Sequence, residues 1–131
     1  MWNVIVIPAD NNMPVREVSI KQTGDALREL LGGNYFEHVR IGNFLTRPPV
    51  AFEDVAMWVD EDGIAHGLSQ NDRASILYGV TVHGQGIYGD AVLTGEEFDP
   101  KEGRDIASLQ EPYADRRFWA AHFMRMVALL S

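Results

Sequence analysis

The apolar runs of this chain are short and closely spaced, and that spacing limits its folds more than any other feature. Residues 2–7, 15–20, 35–41, 55–59, 64–68, 80–83 and 87–94 each read as a strand, with Pro8 ending the first and Asp10-Asn11-Asn12 supplying the first turn. Joining two strands in parallel takes a crossover of about a dozen residues or more, usually a helix. Most of the links are shorter than that, so the expected class is α+β: a mainly antiparallel sheet with short helices and a C-terminal amphipathic helix.

Between the strands, two short helices carry their own punctuation. Thr23 caps a helix with Ala26, Leu27, Leu30 and Leu31 on one face, and Gly32-Gly33 stops it. Asn71 caps residues 72–78, and Gly79 follows their end. Thr46-Arg47-Pro48-Pro49 is expected to be loop, because two prolines suit neither a helix interior nor a central strand. Asp60-Glu61-Asp62-Gly63 is expected to turn a hairpin between residues 55–59 and 64–68, with Gly63 adopting a positive φ. Residues 96–105 are polar and expected to be irregular.

Residues 115–130 contain no breaker, and Trp119, Phe123, Met126, Val127 and Leu130 recur at helical spacing. The other side carries Arg117, Arg125 and His122, but also Phe118 and Leu129. That stripe is expected to cover a sheet face, with self-association through the helix as the alternative. The 131 residues then form one domain: a core over about 1–95, a polar linker over 96–111 and the helix over 112–131.

Composition narrows the functional classes. No apolar run approaches the roughly 20 residues that span a bilayer, so no membrane association is expected. There are no cysteines, which removes disulfides, thiolate metal sites and cysteine nucleophiles and suits a reducing cytoplasm. The N-terminus has no basic region, which argues against a secretory signal. Formal net charge is −8, yet residues 116–131 hold three arginines and no acid. An acidic body is poorly suited to neutralising phosphates, so direct nucleic-acid binding is not expected.

The motifs that suggest chemistry are each incomplete. Gly84-Gln85-Gly86-Ile87-Tyr88-Gly89 spells a dinucleotide-binding glycine pattern, but β-type residues follow where a helix should begin, so no cofactor is expected. Aligning Gly63 with the glycine of a calcium loop puts Trp58 and Ser69 at ligand positions, and the four histidines lack metal-ligand spacing, so no metal is expected either. In a four-residue turn His66 pairs with Met57 and shares a face with Val59, Ile64 and Leu68; a one-residue bulge puts it on the other face. His66 or His83 with Asp60, Glu61 or Asp90 could act as acid and base, although no catalytic set is complete.

Three blocks resemble the domain-of-unknown-function family 3846 of small phage, plasmid and actinobacterial proteins. They are Gly33 with Tyr35-Phe36-Glu37-His38-Val39; Asp60-Glu61-Asp62-Gly63-Ile64 with Leu68-Ser69-Gln70-Asn71, Ala74-Ser75 and Leu77; and Ile87-Tyr88-Gly89-Asp90-Ala91-Val92-Leu93. The resemblance covers roughly residues 1–95. It implies a phage or mobile-element accessory protein in the host cytoplasm and brings no agreed activity. Asp60, Glu61, Gly63, Asn71 and Ala74 also each have a folding role, as turn charge, positive φ, helix cap or close packing.

The expected function is therefore stoichiometric binding of a host protein or a small anionic ligand. For a nucleotide-like anion the pieces are Arg73, the amides of the 84–89 turn and Tyr88 for stacking. The wider set of ligand-binding candidates is Asp60, Glu61, His66, Asn71, Arg73, His83 and Tyr88. A small hydrolase or transferase and an acidic DNA mimic are the alternatives, and a homodimer through the C-terminal helix is a further possible assembly.

Overall fold

Residues 4–7 are apolar on both faces of the first strand, and both faces are covered. A computed structural model describes residues 1–33, 35–43 and 50–130. Its elements are β1 (Trp2–Ile7), β2 (Arg16–Ile20), α1 (Gly24–Leu30), β3 (Phe36–Val39), β4 (Gly42–Asn43), β5 (Val50–Ala51), β6 (Val55–Asp60) and β7 (Gln70–Asn71). They continue with α2 (Asp72–Tyr78), α3 (Val80–His83), β8 (Ile87–Tyr88), β9 (Ala91–Asp99), β10 (Gly103–Ala107) and α4 (Arg116–Leu130).

The main sheet runs β2-β1-β9-β6-β3, and every pairing in it is antiparallel. β9 is its spine: β6 occupies one edge, while β1 and β10 share the other in succession. Val4, Val6 and Val92 pack with Leu27 of α1 on one side. On the opposite side Ile5, Ile7, Met57 and Leu93 pack with Leu77 of α2 and with Trp119 and Phe123 of α4. The α+β antiparallel class follows, with a helix layer on each face. Thr23 caps α1 through Ala26 N at 3.1 Å, as its sequence position predicts.

Five local expectations are corrected. Residues 64–68 form no strand: β6 already has β3 on one edge and β9 on the other, so no edge remains for a hairpin partner. The chain instead coils through turns, with His66 N donating to Asp62 O at 2.9 Å and Leu68 N to Gly63 O at 3.0 Å. Gly63 does not have a positive φ; it is required because a Cβ there would come within 2.5 Å of the Tyr88 carbonyl oxygen.

Residues 80–83 are the helical turn α3 rather than a strand. Gly79, at φ 86°, ends α2 and its carbonyl accepts from His83 N, starting a new turn. Short Val/Thr runs do not distinguish the two states by periodicity. Residues 96–105 are not irregular, since Ala91–Asp99 and Gly103–Ala107 form a hairpin in register Asp99↔Gly103 to Gly95↔Ala107. Its acids mask the strand signal. The single run 87–94 is divided at Gly89, at φ 91°, into β8 and the start of β9.

α4 covers the sheet face, with Trp119, Phe123 and Met126 buried and Trp119 Nε1 donating to Tyr113 O at 2.8 Å. The buried stripe is rotated from the expected one: His122 lies inside, while Val127 is exposed. The side chain of Leu130 and the Thr46–Pro49 segment lie outside the described residues.

Candidate functional site

Asp60 ends β6, where its carboxylate is buried. Oδ1 accepts from Asp62 N at 2.8 Å, and Oδ2 lies 3.0 Å from His66 Nδ1. A carboxylate only accepts, so the ring presents Nδ1–H to Asp60 and its other nitrogen away from it. The side chain of Asp60 is 2% exposed and that of His66 is 38% exposed. A shielded acid orienting an open imidazole is the geometry that acid–base chemistry uses, and it also clamps the turn.

Beside this pair is a cleft of about 380 Å³, walled by Glu37, Asp60, Glu61, Asp62, Tyr78 and Tyr88. β3 delivers Glu37 because Glu37 pairs with Val59 across the sheet. Gly86 joins the wall from the loop after α3, and Ile87 from β8. Burial raises the Glu37 carboxyl above its ordinary range, and Glu61 and Asp62 push it further the same way. The cleft is therefore a region of crowded negative charge. It brings together Asp60, Glu61 and Tyr88 of the expected residues. Neither Glu37 nor Tyr78 is marked by the sequence: Glu37 arrives only through the pairing of β3 with β6, and Tyr78 because α2 ends at the cleft.

Three expected residues are spent on the fold. Asn71 caps α2 by accepting from Ala74 N at 3.0 Å, and its buried amide donates to Ile7 O at 2.9 Å and Gly89 O at 3.0 Å. One side chain thereby ties α2 to the end of β1 and to the β8–β9 junction. Ser75 reinforces it, donating to Asn71 O at 2.6 Å and accepting from Ile87 N at 2.8 Å. Arg73 donates to Pro8 O at 2.8 Å and Asp10 O at 3.0 Å, anchoring the β1–β2 turn; burial lowers its pKa against the opposing pull of Asp10 and Asp90. Asp90 accepts from Ala9 N at 2.9 Å.

His83 stacks on Tyr78 with ring centroids 4.5 Å apart. Residues 84–86 lead into the two-residue strand β8, so no helix N-terminus follows the glycine pattern. Among the described residues, no group of three or more histidine or carboxylate side chains is placed to hold a metal ion, and no helix is long and apolar enough to cross a membrane.

A larger groove, of about 900 Å³, opens between α2 and α4. Val15, Ile76, Phe123 and Val127 line it, together with Arg73, Arg116 and Arg117. Met124 and Val127 in its wall are 75% and 54% exposed. This groove needs the rotation of α4 to be known before it can be seen.

The fold and these two concavities define a three-layer α+β domain built on an antiparallel sheet. The chain belongs to the family Domain of unknown function (DUF3846), whose model matches residues 2–118 and so extends past the polar hairpin into the start of α4. No curated protein matches it. The crystal structure of the small RNA methyltransferase HEN1 is similar, with a TM-score of 0.58 at 19% identity, over 88% of this chain and 15% of that one. The chain thus corresponds to about 15% of that protein's length, and the likeness is one of fold.

Proposed function

We propose that this chain is a phage or mobile-element accessory protein that works in the host cytoplasm by binding a protein partner stoichiometrically. The open apolar groove between α2 and α4 carries this reading. Exposed Met124 and Val127 beside a concavity of about 900 Å³ form the kind of contiguous apolar surface that marks a binding site. A small anionic ligand is less well served. Arg73 is already held by two backbone carbonyls, and Tyr88 faces the same cleft as Glu37, Glu61 and Asp62.

The test is to express tagged full-length protein in a bacterial host, recover it, and weigh the intact complexes by native mass spectrometry. A partner held in fixed whole-number ratio supports the reading. Recovery of the chain with an anionic metabolite and no protein would overturn it.

The Asp60–His66 pair supports a second reading, a small hydrolase or transferase with His66 as acid or base. Screening generic ester, phosphoester and glycoside substrates with wild type and His66→Ala decides it. Turnover present in wild type and lost in the variant favours the enzyme, and activity equal in both removes His66 from the chemistry.

A further inference from the structure

We infer that the groove between α2 and α4 receives an acidic amphipathic helix of a protein partner. The inference deepens the proposed binding role and depends on it. The groove runs alongside the 15-residue α4, about 22 Å long at 1.5 Å per residue, which suits a helix laying apolar anchors at i, i+3/i+4 and i+7 along it.

Charge selects the partner. The chain as a whole carries −8, but the groove lining holds Arg73, Arg116 and Arg117 against the single acid Asp72. Asp72 already accepts from the Asn11 amide at 2.8 Å, and Arg117 is paired with Asp115 at 2.9 Å. Glu17 Oε1 accepts from the Arg116 backbone N at 2.9 Å, but among the described residues no carboxylate pairs with the exposed Arg116 guanidinium, which leaves it the groove cation best able to meet an incoming acid. Carboxylates flanking an apolar helical stripe would steer to this face and be repelled by the rest of the surface.

The same arithmetic disfavours two other occupants. A second copy docking through its own α4 would set three arginines against three arginines, with no acid on either helix. An anionic lipid surface is broad enough to meet the acidic remainder of the body as well, whereas a single helix seated in the groove meets chiefly its arginines.

The test uses isotope-labelled full-length protein and two synthetic 15-residue peptides with the same leucine positions, one rich in glutamate and one in lysine. The glutamate peptide should shift the amides of Ala120, Met124 and Val127 and bind at least tenfold more tightly than the lysine peptide, an advantage that salt reduces. Arg116→Glu should reverse the preference. Val127→Asp and Met124→Asp, both at exposed positions, should abolish binding without unfolding the chain.

Equal binding of the two peptides, or no shift along α4, overturns the inference. So does a dimer in light scattering that Val127→Asp dissociates, or sedimentation with phosphatidylserine vesicles. The host complex separates this failure from that of the binding role. A partner retained by Val127→Asp leaves the role standing and removes the groove, whereas wild type that holds no partner removes both.

Discussion

Asp60 and His66 are six residues apart, and their 3.0 Å contact closes the loop that replaces the expected hairpin. The buried carboxylate also holds Asp62 N, so one side chain shapes the whole turn that walls the acidic cleft. Asp60→Ala strips both contacts and should cost about 1.5–3 kcal/mol, the range for a hydrogen bond to a charged group. His66→Ala, on the more exposed partner, should cost less than half of that. Urea unfolding of the two variants checks the order, and equal losses would mean that the clamp does not depend on the buried acid.

Asn71 makes a sharper case. Asn71→Ala removes a helix cap and leaves the carbonyls of Ile7 and Gly89 without their donor, for a combined loss of about 3–5 kcal/mol. Asn71→Asp keeps the acceptor that caps α2 but loses both donated bonds. It should be nearly as damaging as alanine. If aspartate instead restores wild-type stability in a thermal melt, the cap rather than the strand tie is what matters.

His122 is enclosed by Phe52, Phe118, Trp119 and Phe123, and burial, helped by Arg125, lowers its pKa below the ordinary 6.5. In the unfolded chain the imidazole takes up its proton first, so its contribution is complete above pH 6.5 and is lost as pH falls below it. The urea midpoint should therefore drop between pH 7.5 and pH 5.5. A His122→Phe variant should show a smaller drop over the same interval.

Glu37 behaves in the opposite sense. Its carboxyl is raised above 4.5, so the favourable protonated state is present at low pH and is lost as pH rises through the raised value. At pH 7 the ionised group, crowded by Glu61 and Asp62, weakens the fold. Glu37→Gln should raise the urea midpoint at pH 7, and the gain should vanish in acid. A variant less stable than wild type at pH 7 would show that the charge is compensated within the cleft.

The C-terminal helix is part of the core. Trp119 and Phe123 pack on the same sheet face as Ile5, Met57 and Leu93, so Trp119→Ala should cost about 3–5 kcal/mol. A chain ending at Pro112 would expose that face and should aggregate or remain unfolded. A soluble, cooperatively folding 1–112 chain would show that the sheet stands without α4.

Local signals were legible wherever a few neighbouring residues decide the outcome. Thr23, Asn71, Gly79 and the two-sided apolar run of β1 act through hydrogen bonds and sterics within a turn or a strand, so capping, chain reversal and the α+β class follow from order alone. What the chain order could not determine is which edges meet. β6 reads as half of a hairpin until β3 and β9 take both its edges, and the acid-rich stretch 96–105 enters strands because backbone pairing between the end of β9 and β10 outweighs its polar pattern. The candidate sites divide the same way. Asp60, Glu61 and Tyr88 were named from the sequence, but Glu37 joins them only through cross-strand register, and the groove exists only because α4 turns His122 inward and leaves Met124 and Val127 outside. Hydrophobic spacing places a helix on a sheet, whereas its rotation depends on the shape of the surface it meets, which tertiary packing alone supplies.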